Sequence, residues 1–121
     1  MTKRILVIED TEDNRRIVGD LLESAGYELI EAVDGLEGVA TAEREHPDLI
    51  LMDIQLPGID GYEATRRIRA NPALAGVPII AVTSYALSGD EAKTREAGCD
   101  GYVAKPFSPR QLLAKVREFL P

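Results

Sequence analysis

Four short stretches carry side chains that could do chemistry together: Glu9-Asp10, Asp53, Thr83-Ser84 and Lys105. Each follows an apolar run, respectively Ile5 to Ile8, Leu49 to Met52, Ile79 to Val82 and Gly101 to Ala104. If those runs are parallel strands, their carboxyl ends share one edge. Three carboxylates, hydroxyls and an ammonium then converge on one crevice. Crowded carboxylates repel unless a cation intervenes. An oxygen-rich set of this kind suits a hard divalent ion such as Mg²⁺, which keeps waters and takes one or two carboxylates plus a phosphate. The chemistry this suggests is phosphoryl transfer. Asp53 stands alone at its strand end and can be the nucleophile, because carboxylates form aspartyl phosphates. A cation on each side of the transferred group would offset its charge, and Lys105 supplies one of them. The Thr83 hydroxyl can donate to a phosphoryl oxygen. Each residue alone has a plainer role: Glu9-Asp10 as an acidic helix cap, Asp53 as a turn residue, Lys105 as a solvated lysine. It is their placement at four strand ends on the same edge that makes them a set.

The elements that position these residues are legible in the pattern. Apolar runs bounded by turn signals read as strands buried on both faces. A second strand runs from Tyr27 to Ala32 and brings no chemistry to its end. Thr11, Asp13 and Asn14 are competent N-caps for a helix with Ile17, Val18, Leu21, Leu22 and Ala25 on one face, and Gly26 supplies its stop. Asp34-Gly35 opens a helix carrying Leu36, Val39 and Ala40 on one side, closed by His46-Pro47. After Asp53, Leu56-Pro57-Gly58 and Asp60-Gly61 break the chain before a helix from about Gly61 to Ala70 that carries Tyr62, Thr65 and Ile68. Ser88-Gly89-Asp90-Glu91 reads as a capping box, and Gly98 closes the helix it opens. Ser108-Pro109-Arg110-Gln111 combines a capping Ser, a Pro at the first helical position and a Gln three after the cap. Leu112, Leu113, Val116, Phe119 and Leu120 form the apolar face of the last helix. Strand and helix alternate throughout, the signature of βα units building a parallel sheet covered on both faces.

The chain has 121 residues, one ordinary domain's worth, with a formal net charge of −7. That balance argues against nucleic-acid binding, which needs clustered Lys and Arg. Arg15-Arg16 and Arg66-Arg67-Arg69 are the local basic groups, and their helical setting reads as solvated or partner-facing surface. The single cysteine, Cys99, makes no internal disulfide and no cysteine zinc cage, and reads as a small packed residue in a reducing, cytoplasmic compartment. No apolar run approaches the ~20 residues of a membrane helix, and the first one is too short for a secretory signal. His46 is the only histidine and reads as structural or solvent-facing.

Ile8-Glu9-Asp10, Leu51 to Gly61, Ala81-Val82-Thr83-Ser84 and Ala104-Lys105-Pro106-Phe107 together resemble the receiver domain of bacterial response regulators, the CheY-like family, over essentially the whole chain. The resemblance implies an α/β flavodoxin-like fold, a five-stranded parallel sheet of order 2-1-3-4-5 with five helices in a three-layer sandwich. It implies that Asp53 accepts a phosphoryl group from the phosphohistidine of a sensor histidine kinase or histidine phosphotransfer protein, and that the protein is not a turnover enzyme. Asp10, Asp53 and the backbone carbonyl of Gln55 would hold Mg²⁺, with Glu9 nearby through water. Lys105 would pair with the phosphoryl group, Thr83 would move in to bond it, and Tyr102 would swing inward as the switch aromatic. The Lys105-Pro106 bond would be cis, a form taken by only about 5–6% of X-Pro bonds. The changed surface would lie around the fourth helix, last strand and last helix, where a downstream protein partner binds, and Tyr85, Ala86 and Leu87 lie in the loop expected to move. Residues 1–121 are expected to form one receiver domain with no output domain. Ala81 to Ala86, Gly89-Asp90-Glu91 and Gly98-Cys99 resemble the DivK type of single-domain regulator and also receivers attached to hybrid kinases.

Three other readings compete. A flavodoxin would bind a flavin phosphate after the first strand, where Glu9-Asp10-Thr11-Glu12-Asp13 would repel it. A phosphatase of the haloacid dehalogenase class uses Asp-x-Asp-x-Thr, but this chain has Gln55 in place of the second Asp. A non-catalytic binding scaffold would keep the fold without being phosphorylated.

Overall fold

The computed structural model describes residues 2–84 and 90–121. Five strands, β1 (Arg4–Ile8), β2 (Glu28–Ala32), β3 (Leu49–Asp53), β4 (Ile79–Thr83) and β5 (Gly101–Ala104), alternate with α1 (Glu12–Ser24), α2 (Gly35–Glu45), α3 (Gly61–Arg69), α4 (Asp90–Ala97) and α5 (Pro109–Phe119). A short 3-10 turn, Pro72–Leu74, lies in the connection before β4. All strand pairs are parallel, in the order β2-β1-β3-β4-β5. This is the doubly wound order in which the connections run to either side of β1 and β3, so that the crevice opens at their carboxyl ends.

Alternation along the strands builds two cores. Leu6, Ile8, Ile50, Met52, Ile79 and Ala81 face one layer, where Ala42, Ala64 and Ile68 cover them. Ile5, Val7, Leu49, Leu51, Ile80 and Val82 face the other, under Leu22, Leu112 and Val116. β3 and β4 are buried at every residue, which is why they read as unbroken apolar runs. β2 is an edge strand, with Glu28 and Glu31 exposed.

Two helix faces match the sequence reading in part: Val18, Leu21 and Leu22 of α1 and Val39 of α2 pack on the core, but the border residues do not. Ile17 is 64% exposed and Leu36 58% exposed, and Ala40 is exposed as well. The surfaces actually buried are Gly19 with Leu22 in α1, and Gly35, Gly38, Thr41 and Ala42 in α2. A methyl group on Gly38 would stand 2.5 Å from Cδ1 of Ile8, and one on Gly19 would stand 2.7 Å from Cδ2 of Leu29. Small residues let these helices approach the sheet closely beside their larger apolar contacts, a closeness that a count of apolar side chains does not register.

The helix ends follow the expected chemistry with local differences. Asp34 and Asp60 accept from the backbone N–H three residues on, and Ser108 and Gln111 form a complete capping box. Thr11 takes the N-cap position of α1 without a side-chain bond. His46 ends α2 in the left-handed region at φ 48°, because the helical alternative is disfavoured before Pro47. Gly26 and Gly98 also have positive φ where their helices stop. Cys99 is buried beside Thr65, whose hydroxyl bonds the Gly61 carbonyl. Ser88 and Tyr85-Ala86-Leu87, which carry the expected cap and moving loop, lie outside the described residues. No described helix is long and apolar enough to cross a membrane.

Candidate functional site

Strand register brings the four sequence stretches to one edge. Ile8 pairs with Ala32 on one side and Met52 on the other, Asp53 pairs with Val82, and Thr83 pairs with Ala104. The residues that follow, Glu9-Asp10, Ser84 and Lys105, therefore enter the crevice together. Carboxylate oxygens of Glu9, Asp10 and Asp53 lie within 4.8 Å of one another. Asp53 is 4% exposed and Glu9 6%, while Asp10 opens to solvent.

Each buried carboxylate is held by the backbone beside it. Asp53 Oδ1 accepts from the Gln55 N–H at 3.0 Å, and Glu9 Oε2 accepts from the Thr11 N–H at 3.0 Å. Their other oxygens converge on one ammonium: Lys105 Nζ stands 3.2 Å from Glu9 Oε1 and 3.3 Å from Asp53 Oδ2. Desolvation is the largest single influence on that ammonium and on its own lowers the Lys105 pKa. The charges of Asp53 and then Glu9, with their hydrogen bonds, together outweigh it and hold the pKa above the ordinary lysine value of 10.5. Lys105 is thus a fixed cation at neutral pH. The Lys105-Pro106 bond is cis, as the resemblance implied.

Thr83 is wholly buried at the end of β4, and its carbonyl accepts the Lys105 N–H at 2.8 Å, so these two residues are linked through the backbone. Tyr102 sits half-buried on β5, outside the carboxylate cluster, and lines a surface groove together with Lys115 and Glu118 of α5. Gln55 is exposed, and its side-chain carbonyl accepts from the Ser84 hydroxyl at 2.7 Å, which bridges the loops after β3 and β4. A cavity of about 450 Å³ extends from Asp53 and Lys105 over an apolar floor that includes Val18, Val82 and Phe107, with Ile17 at its border.

Two things escaped the sequence reading. Arg15 is not a solvated surface group: its side chain is 16% exposed, and Nη1 donates to the Glu9 carbonyl at 2.9 Å. Arg69 is likewise enclosed and donates to the carbonyls of Leu74, Val77 and Gly98. Arg16, Arg66 and Arg67 are exposed as read. The available signal was the position of Arg15 in the first turn of the helix that follows Glu9-Asp10, close enough for its side chain to fold back over the turn.

Residues 5–117 match the response regulator receiver domain. The chain belongs to this family. It is 42% identical over 120 residues to the polar-differentiation response regulator DivK of Brucella ovis, covering 99% of this chain and 98% of that one. The DivK of Brucella anthropi is 41% identical over the same shares. The fold is similar to the receiver domain of a sensor histidine kinase of Pseudomonas aeruginosa PAO1, whose structure has a magnesium ion coordinated in the active-site cleft. That likeness has a TM-score of 0.92 at 41% identity and covers 99% of this chain and 98% of the other. A chemotaxis response regulator of Vibrio cholerae is similar at TM-score 0.94 and 28% identity, over 98% of this chain and 99% of that one. Response regulators and the receiver of a sensor kinase are thus matched almost equally well. Receivers of this family serve two-component signalling with kinase or phosphotransfer partners, and they are not generally turnover enzymes.

Proposed function

We propose that this receiver is a phosphoacceptor of a two-component phosphorelay, with Asp53 as the residue that takes the phosphoryl group. The observation that carries this reading is Asp53 itself. It is a buried carboxylate at the end of a central strand, held at one oxygen by a backbone N–H and at the other by a lysine. That arrangement orients a nucleophile and supplies a cation for the charge that develops on the transferred group.

The donor set fits a hard divalent cation. Three carboxylates meet within 4.8 Å, and among the described residues one ammonium faces them. The Gln55 backbone carbonyl accepts no hydrogen bond among the described residues. Asp10, Asp53 and that carbonyl would hold Mg²⁺, with Glu9 acting through water. When bound, the ion offsets the repulsion between the carboxylates and a dianionic phosphoryl group.

The steps belong to the protein's own residues. Asp53 forms an oxygen–phosphorus bond as the phosphorus–nitrogen bond of a donor phosphohistidine breaks, and the histidine leaves. Lys105 exchanges its contact with Asp53 for one with a phosphoryl oxygen, keeping its charge throughout. Thr83 donates its hydroxyl to the phosphoryl group, which favours the arrangement that makes this bond. Tyr102 follows Thr83 inward, and the face of α4, β5 and α5 then presents a different surface to a protein partner. The receiver catalyses its own phosphorylation and the later hydrolysis of the aspartyl phosphate.

Intact mass after incubation with acetyl phosphate, with and without Mg²⁺, tests the reading on wild type and Asp53→Asn. The expected result is a Mg²⁺-dependent gain of one phosphoryl group by wild type alone. A gain that survives in Asp53→Asn moves the chemistry to another residue. No gain in wild type that demonstrably binds Mg²⁺ makes the protein a constitutive binding scaffold.

A further inference from the structure

The carboxylate cluster has one member with no tether of its own. Glu9 is held at four points: its N–H donates to the Ala32 carbonyl at 3.1 Å, its carbonyl accepts from Arg15 at 2.9 Å, and its two carboxylate oxygens accept from Thr11 and Lys105. Asp53 is held at both oxygens. Asp10 makes no hydrogen bond or ion pair among the described residues, and it is the exposed member of the three. Its position is inherited from its neighbours.

We infer that Arg15 is the positioning residue of the cation site, resting on the function proposed above. The Glu9 carbonyl belongs to the peptide plane that joins Glu9 to Asp10, and that plane is rigid. An arginine bonded to the carbonyl fixes the rotation of the whole plane, and with it the direction in which Asp10 leaves the turn. Arg15 is itself anchored. It lies on α1 with its side chain mostly enclosed, and its Nε stands 3.6 Å from Oε1 of Glu31 on the edge strand β2. The chain of contacts runs from β2 through Arg15 to the Glu9–Asp10 peptide. Arg15 touches no carboxylate of the cluster, so it acts on geometry and is not a ligand. Partners one step removed from a ligand commonly matter in this way at metal sites.

A charge-only role makes the opposite prediction. A cation beside an acidic site repels Mg²⁺, so removing it without consequence for geometry would tighten binding. The two accounts therefore differ in sign.

The test is an amide ¹H–¹⁵N titration with MgCl₂, following Asp10 and Gln55, on wild type, Arg15→Met and Arg15→Lys. Arg15→Met is expected to bind Mg²⁺ about tenfold more weakly while its amide spectrum elsewhere stays that of the folded wild type. Arg15→Lys, whose ammonium can still donate to the Glu9 carbonyl, is expected to recover most of the loss. Unchanged or tighter binding by Arg15→Met overturns the inference, and so does a folded Arg15→Lys that binds as weakly as Arg15→Met. If wild type itself shows no Mg²⁺ response, the proposed function fails and the inference falls with it. Loss confined to the variants leaves that function standing.

Discussion

Lys105 is the residue through which the rest of the site is balanced. It faces two buried carboxylates and keeps its proton well past neutrality, so its positive charge is present across the physiological range. Thr83 is its backbone partner, and the link runs both ways: a phosphoryl group that draws Lys105 and the Thr83 hydroxyl together acts on one connected unit. Removing the hydroxyl should therefore separate chemistry from response. Thr83→Ala is expected to gain one phosphoryl group from acetyl phosphate like wild type. The amide shift changes that follow in Gly101–Ala104 and Pro109–Phe119 should shrink, because the proposed bond from Thr83 to the phosphoryl group can no longer form. Full-sized shift changes in phosphorylated Thr83→Ala would mean that the response bypasses this hydroxyl.

At the level of elements, the site depends on how closely α3 approaches the end of β3. A Cβ on Gly61 would lie 2.4 Å from the Asp53 carbonyl oxygen and 2.6 Å from Cα of Ile54, both main-chain atoms that cannot swing aside. The Gly61 N–H closes the same turn on the Ile54 carbonyl at 2.9 Å. Gly61→Ala is expected to destabilise the fold by about 1–3 kcal/mol, as overpacking of a tight contact does. Gly76→Ala, where a Cβ meets nothing within 4 Å, serves as the control and should change stability by less than about 0.5 kcal/mol. Equal urea midpoints for the two variants would show that the close approach is not felt. Gly61 also shows where sequence reading stops. It was legible as punctuation before a helix, yet its contact lies across the turn and is set by packing. The same holds for Gly19 and Gly38. Hydrophobic periodicity locates a helix by its large apolar residues, so it placed Val18, Leu21, Leu22 and Val39 on the packed faces, but it also drew in Ile17 and Leu36, which are exposed, and it passed over the glycines that set the closest contacts. Strands were easier, since burial on both sides leaves an unbroken apolar run, and strand ends were enough to assemble Glu9, Asp10, Asp53, Thr83 and Lys105 on one edge. Arg15 was missed because its role is a bond to a main-chain carbonyl, which has no counterpart in the side-chain pattern.

Over the whole molecule, net charge and site charge have the same sign. The chain carries a formal −7, and three of its carboxylates crowd together at the edge of the sheet. General self-repulsion of that kind is relieved by any salt through screening. The cluster should respond to a divalent cation beyond screening, because an ion bound to the folded state stabilises it by mass action. The melting temperature is therefore expected to rise more in MgCl₂ than in NaCl of equal ionic strength. Asp10→Asn divides the two effects. Without Mg²⁺ it removes one like charge from a group whose oxygens lie within 4.8 Å, an interaction of about 1 kcal/mol per pair at a water-like dielectric, the fitting value for an exposed residue. The variant should thus be at least as stable as wild type in NaCl. In MgCl₂ it should lose the excess stabilisation, since one of the proposed ligands is gone. A site assembled for function at a cost to stability gives this crossing of the two curves. Parallel responses of wild type and Asp10→Asn to both salts would instead place Asp10 among the ordinary surface charges of an acidic protein.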